Sequence, residues 1–179
     1  MKILCTGNPT VGIAQSLQRL YPETTFISRT NGYDLLTPEG LDKFKSILPD
    51  FNVFINHSQL EGTAQIILLD LVKECWTSGH IINIGSVIEF DKWSWIDPTA
   101  AEEKRKLRDR SLELSTEFFK TTHLLVGGLQ SCDSDPLRMH TDSVADTIQW
   151  ILENKIHIPL MYVDRVSDEL TNKWLSNKP

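Results

Sequence analysis

Two glycines, Gly7 and Gly12, bracket the stretch Thr6-Gly7-Asn8-Pro9-Thr10-Val11-Gly12-Ile13. Glycines between a strand and a helix let the backbone approach a pyrophosphate, whose charge is favoured at the helix N-terminus. The usual fingerprint has three glycines. This stretch has two, spaced one residue closer, so a tight turn without ligand is the competing reading. Further along, Ser28-Arg29-Thr30 offers an arginine where an acidic residue would take ribose hydroxyls. An arginine there can pair with a 2′-phosphate, or it is a solvated surface side chain. Asn56-His57-Ser58, Gly85-Ser86 and Gly127-Gly128-Leu129 are three more small or polar clusters. His57 reads equally well as a core imidazole satisfied by the backbone.

These residues gain meaning from the elements that must carry them. Lys2–Cys5, Thr24–Ser28, Asn52–Ile55, His80–Ile84, His123–Val126 and Pro159–Val163 read as short apolar strands. Helical patterns lie between them: Val11–Leu20 with Ile13, Leu17 and Leu20 at helical spacing, Pro38–Leu48 with Thr37 as N-cap, Leu60–Trp76, Pro98–Lys120, and Thr141–Glu153 with Thr141 as N-cap. Asp168–Leu175 reads as a final helix. Continuous apolar strands alternating with helices predict an α/β fold, a three-layer, doubly wound, mostly parallel sheet. No repeat or linker interrupts residues 1–179, which read as one domain. Ligands of such sheets bind at the carboxyl ends of the strands. All five residue clusters fall there.

The bulk properties narrow the function classes. A net charge of −6 over 179 residues argues against general nucleic-acid binding, which needs a basic surface. The three cysteines, Cys5, Cys75 and Cys132, have no CxxC spacing, so neither a disulfide framework nor a metal site is expected. No signal peptide is visible and no apolar run approaches the ~20 residues of a membrane span. A soluble, cytoplasmic protein is the expectation.

In their order, these blocks resemble the short-chain dehydrogenase/reductase family. Thr6-Gly7 through Gly12-Ile13 is similar to its glycine-rich turn, and Asp34-Leu35 to the Asp-aliphatic pair it places near the adenine. Asn56-His57-Ser58 stands where the family has Asn-Ala-Gly. Ile81-Ile82-Asn83-Ile84-Gly85-Ser86 resembles the strand ending in its catalytic serine, and Gly127-Gly128-Leu129-Gln130-Ser131 its loop beside the nicotinamide. Asp142 to Trp150 and Val163-Asp164 resemble its penultimate helix and last strand. The resemblance spans nearly the whole chain.

It implies a Rossmann-like NAD(P)-binding fold. The implied cofactor is NADP, with NAD as the alternative, held by Thr6, Gly7, Gly12, Ile13, Ser28, Arg29, Asp34, Asn56, His57, Ser58, Lys104, Gly127, Gly128 and Leu129. The family's chemistry uses a tyrosine as general acid/base, a lysine, a serine and an asparagine. Ser86 occupies the serine position, Lys104 that of the lysine, and Gln59 replaces the asparagine. Ala100, four residues before Lys104, stands at the tyrosine position and has no proton to give. No tyrosine has a sequence position that places it by Ser86. Glu102 and Glu103 read as a solvated helix face. Trp93 and Trp95 either wall an apolar site or cover the sheet end. The stretch after Ser58 and the loop between Gly128 and Asp142 are short for the family. Three functions follow: an NADPH-dependent oxidoreductase acting on a small carbonyl or hydroxyl substrate, a catalytically inactive dinucleotide-binding sensor or regulatory protein, or an association protein. The implied assembly is a homodimer or homotetramer through helices 60–76 and 98–120.

Overall fold

The computed structural model describes residues 1–57, 64–91, 93–129, 139–154 and 156–164. Six strands, β1 (Ile3–Thr6), β2 (Thr25–Ile27), β3 (Val53–Asn56), β4 (Gly79–Ile84), β5 (Phe119–Val126) and β6 (Leu160–Val163), form one sheet in the order β2-β1-β3-β4-β5-β6. Every pairing is parallel. The six apolar runs of the sequence are therefore the six strands, and the doubly wound α/β sheet is observed. The order reverses at β1, so the carboxyl ends of β1 and β3 open a crevice between crossovers that leave in opposite directions.

Among the described residues, five helices cover the sheet: α1 (Gly12–Leu20), α2 (Pro38–Ile47), α3 (Ala64–Cys75), α4 (Pro98–Leu114) and α5 (Thr141–Glu153). Strand side chains alternate between the faces. Ile3, Cys5, Val53, Ile55, Ile82 and Ile84 meet Ile13 and Leu17 of α1 and Val144 and Ile148 of α5. Leu4, Phe54, Ile81 and Phe119 meet Phe44 of α2, Leu68, Leu69 and Val72 of α3 and Leu107 of α4. Burial on both faces is why the strands lack a polar alternation. Burial also pushes the Cys5 thiol far above its ordinary value. No helix among the described residues is long and apolar enough to cross a membrane.

Several expected boundaries move. The helix expected over Pro98–Lys120 stops at Leu114, and β5 starts at Phe119 rather than His123. Thr116 makes the turn: its hydroxyl accepts the Phe119 N–H at 3.0 Å and its own N–H donates to the Phe119 carbonyl at 2.7 Å. Phe119, Thr121 and Thr122 then pair with Gly79, Ile81 and Ile82, and aromatic and β-branched residues suit such a surface. His140, not Thr141, caps α5, accepting the Asp142 N–H at 3.2 Å. The Thr141 hydroxyl instead meets Ser16 of α1 at 3.0 Å. Leu20 is exposed rather than part of the α1 core face. The first residues of the helix expected over Leu60–Trp76 and the helix expected over Asp168–Leu175 lie outside the described residues. Thr37 caps α2 as expected, accepting the Gly40 N–H at 3.1 Å.

Phe54 is fully buried, its ring centroid 5.3 Å from that of Phe44. Phe54→Ala is expected to cost about 3–5 kcal/mol of unfolding free energy, read as a fall in the urea midpoint.

Candidate functional site

Polar residues interrupt the apolar face beneath α3 and α4. Asn56, Asn83 and His123 stand side by side on β3, β4 and β5, each paired in register with the next. All three are fully buried, and buried polar groups are costly unless hydrogen-bonded. Asn56 Nδ2 donates to Asn83 Oδ1 and to the Gln65 carbonyl, both at 2.9 Å. Gln65 Nε2 returns a bond to the Asn56 carbonyl at 3.2 Å. Asn83 Nδ2 donates to Ser111 Oγ of α4 at 3.0 Å. The row thus ties three strand ends to α3 and α4.

Lys104 lies where this row reaches the end of β4. It sits on the inner side of α4, one turn beyond Ala100. Its Nζ donates to the Ile84 carbonyl at 3.1 Å and to Gln65 Oε1 at 2.5 Å. Burial pulls its pKa down to about 8, against the opposing charges of Glu89 and Glu103. Two residues after Ile84 comes Ser86, half-buried, its hydroxyl accepting the Ile88 N–H at 3.4 Å. The Ser86 N–H donates to Glu89 Oε1 at 3.0 Å. Ser86 and Glu89 together cap the short turn Val87–Glu89. The sequence positions of Ser86 and Lys104 are thus brought to one strand end.

At the sheet's reversal point, β1 and β3 meet the same region. Thr6 is buried, and its Oγ1 accepts the His57 N–H at 2.8 Å. His57 Nδ1 lies 3.2 Å from the Thr6 carbonyl. Burial lowers the His57 pKa, and Lys104 nearby adds to that effect. Gly7 has φ +125°, and a Cβ there would stand 2.8 Å from His57 Nδ1, so only glycine passes comfortably. Gly12 has φ +60° with nothing near its Cβ position, at the start of α1. The side chains of Thr37, Asp97 and His140 cap α2, α4 and α5, whereas among the described residues no side chain caps α1. Ile13 is buried in the core.

The other expected site residues are spread along the carboxyl edge. Ser28 caps the short turn Arg29–Asn31 at the end of β2. Arg29 is exposed there and makes no ion pair among the described residues. Asp34 Oδ1 accepts the Leu36 N–H at 3.2 Å, and its carbonyl accepts the Thr37 hydroxyl, so it shapes the entry to α2. Gly127 donates its N–H to the Val163 carbonyl at 2.9 Å, Gly128 accepts the Met139 N–H at 2.9 Å, and Leu129 bridges to Met139. Ser58 and Gln59 lie outside the described residues. Trp93 is buried and Trp95 half-buried between β4 and α4.

Of the three tyrosines, Tyr162 packs its ring edge-on against Phe90, four residues past Ser86, with centroids 5.5 Å apart. Its hydroxyl is committed to Asp164 Oδ2 at 2.6 Å, and burial and that carboxylate push its pKa up. Tyr21 closes the carboxyl end of α1, at the opposite edge of the sheet, where burial raises its pKa. Tyr33 packs among the residues beside α2. Gln65, Glu89, His123 and Ser111 were not singled out from sequence as site residues. Two signals were present: the Ser86-x-x-Glu89 capping spacing, and single polar residues inside apolar strands. A separate cavity of about 350 Å³ lies at the amino ends of the strands, beside Asn52, His80, Phe118 and Lys120, remote from Ser86.

No protein-family model and no curated protein matches this sequence. Solved structures do match in shape. The chain is similar to the 3-alpha-hydroxysteroid dehydrogenase from Pseudomonas sp. B-0831, solved with NADH, at 15% identity and a TM-score of 0.65 over 97% of this chain and 99% of that one. It is similar to a short-chain dehydrogenase/reductase from Brucella melitensis at 10% identity and 0.70 over 90% and 94%. It is similar to a short chain dehydrogenase from Burkholderia cenocepacia J2315 solved with NADP, at 13% identity and 0.65 over 99% and 95%. The six-stranded parallel sheet and these likenesses agree: the chain has the fold of the short-chain dehydrogenases/reductases.

Proposed function

We propose that the protein binds a nicotinamide dinucleotide along the carboxyl edge of its sheet and acts as an oxidoreductase on a small carbonyl or hydroxyl substrate. The observation that carries this reading is the meeting of Thr6, Gly7, His57, Lys104 and Ser86 at the ends of β1, β3 and β4. The residues fit the cofactor. The N-terminus of α1 has no side-chain cap, lies behind two positive-φ glycines and is open at Gly12, which suits a pyrophosphate. Arg29 stands exposed at the end of β2, where it suits the 2′-phosphate of NADP over the bare ribose of NAD. Structures of this fold hold NADH and NADP.

When bound, the nicotinamide supplies the hydride. The chain's own side chains do the rest. Lys104, an ammonium below pH 8, would hold ribose hydroxyls with the N–H that Ile84 and Gln65 leave free. Ser86 would hold a substrate oxygen with a hydrogen bond from its hydroxyl, and water would supply the proton that a reduced carbonyl takes up. Asn56 and Asn83, bonded to each other and to the helices, hold the strand ends rather than touch a ligand. Gly127, Gly128 and Leu129 belong to the same reading as lining residues; by resemblance alone it also takes Ser58 for the cofactor and Gln59 for the place of the family's asparagine.

A second reading, a dinucleotide-binding protein without turnover, is favoured by two observations. Ala100 begins the turn that leads to Lys104, and Tyr162 is tied to Asp164. Either reading allows a homodimer or homotetramer through the outer faces of α3 and α4, which sedimentation in dilute solution would detect.

Calorimetric titration should give binding of NADPH tighter than NADH. Arg29→Ala is expected to weaken NADPH by about tenfold, the worth of one charge-assisted contact, and leave NADH unchanged. Absence of binding to either dinucleotide removes both readings. NADPH affinity should fall as pH rises through about 8, where the Lys104 ammonium loses its proton. In steady-state NADPH oxidation across a carbonyl panel, Ser86→Ala should lower kcat/KM by about a hundredfold. Binding without turnover on any carbonyl selects the second reading.

A further inference from the structure

The cavity at the amino ends of the strands lies on the opposite edge of the sheet from Ser86 and Lys104, and the proposed reaction makes no use of it. It measures about 350 Å³ and is walled by the starts of β3, β4 and β5 and by the end of α5. Small-molecule sites begin at about 300 Å³. Gly79 keeps its floor low: φ is +148°, and a Cβ there would stand 2.7 Å from the Trp76 ring. The Gly79 N–H donates to the Phe118 carbonyl at 3.2 Å. That bond fixes the Phe118 backbone beside β4 while the ring stands 71% exposed. Ile156, past the end of α5, is 62% exposed at the same cavity, and Leu152 of α5 adds a third apolar side chain. Large apolar side chains gathered around one concavity mark a binding surface, whereas scattered ones do not.

The charge at this cavity has one sign. Lys120 of β5 is the register partner of His80 of β4, so both side chains leave the same face of the sheet. Lys120 and His80 line the cavity, and among the described residues no carboxylate does, in a chain with 24 acidic residues. Lys120 is half-buried, and its ammonium has no ion pair or hydrogen bond among the described residues. Lys104, by contrast, gives two N–H groups to acceptors. Partial burial costs an ammonium hydration that only an anion or acceptor returns. The Ser78 hydroxyl, exposed at the rim, also has no hydrogen bond among the described residues.

Three groups face His80: Thr122 Oγ1 of β5 lies 2.9 Å from its Nε2, the His157 ring meets it edge-on with centroids 6.3 Å apart, and Lys120 stands beside it. Burial, with His157 and Lys120 adding to it, pulls the His80 pKa down to about 4. At neutral pH His80 is uncharged, and Lys120 is the one lining cation among the described residues. We propose that this cavity binds a small amphipathic monoanion, a carboxylate on an apolar tail: Lys120 and Ser78 take the carboxylate, and Phe118, Leu152 and Ile156 take the tail. One cation answers one negative charge, which disfavours a nucleotide or another polyanion. Apolar side chains beside that cation favour an amphiphile over a fully polar anion. The site stands apart from the dinucleotide reading and does not need it.

The experiment is calorimetric titration of the full chain, free of dinucleotide, with octanoate at neutral pH and below micelle-forming concentrations. Binding should saturate at one site. Lys120→Gln should weaken it by about tenfold, the worth of one charge-assisted contact, and Phe118→Ala by about tenfold for the apolar area lost. Octylamine, with the same tail on a cationic head, and acetate, with the same head and no tail, should each bind at least about tenfold more weakly than octanoate. NMR on the same samples should show octanoate moving the ring signals of His80 and His157 and leaving the Gly7 and Gly12 amides in place. Absence of saturable binding, equal affinity in Lys120→Gln, equal affinity for octylamine, or shifts confined to Gly7 and Gly12 overturns the inference. NADPH titration of the same chains separates the two sites. Lys120→Gln should bind NADPH as the unaltered chain does. A chain that binds NADPH and no octanoate keeps the dinucleotide reading and loses this one; a chain that binds octanoate and no NADPH does the reverse.

Discussion

Covering both faces of a parallel sheet with helices leaves the strand ends as the natural place for polar chemistry. This sheet also carries polar side chains inside one covered face, and each of them must find a partner there. An unsatisfied buried donor or acceptor costs about 1–3 kcal/mol. Asn56, Asn83 and His123 stand in register across three strands. Gln65 reaches them from α3, Ser111 from α4 and Glu89 from the turn after β4. These bonds hold the carboxyl ends of β3, β4 and β5 against the two helices. The positions of Ser86 and Lys104 depend on that row.

The same row explains how a helix as charged as α4 packs on a sheet. Its charges are sorted by face. Leu107 and Ser111 are buried against the sheet, and Lys104, Arg105 and Arg108 border them. Glu102, Lys106 and Asp109 point outward, where their ion pairs contribute little. The inner cations also meet buried acceptors: the Ile84 carbonyl, Gln65 and Glu89.

The alternation of apolar runs and helical patterns was legible because burial on both faces leaves a local signature. All six strands were readable, as was the Thr37 cap, since capping involves residues three positions apart. The α4–β5 boundary was not. Phe119 to Thr122 suit a strand only once Gly79 to Ile82 lie beside them. Of the candidate site, Gly7, Gly12 and Ser86 could be found from strand-end position, and Lys104 only from the family resemblance. The meeting of Glu89 with His123 could not: they are 34 residues apart and belong to different elements.

The sequence by itself therefore determined the class of fold and the edge of the sheet where a site belongs, because both follow from short-range periodicity and from parallel strand connection. Tertiary structure alone decided which polar side chains meet. Lys104 reaches Gln65 across 39 residues, and Ser86 shares a buried carboxylate with His123. Such meetings are set by strand register, by which face each residue takes and by how α3 and α4 lie over the sheet. Local spacing carries none of those three.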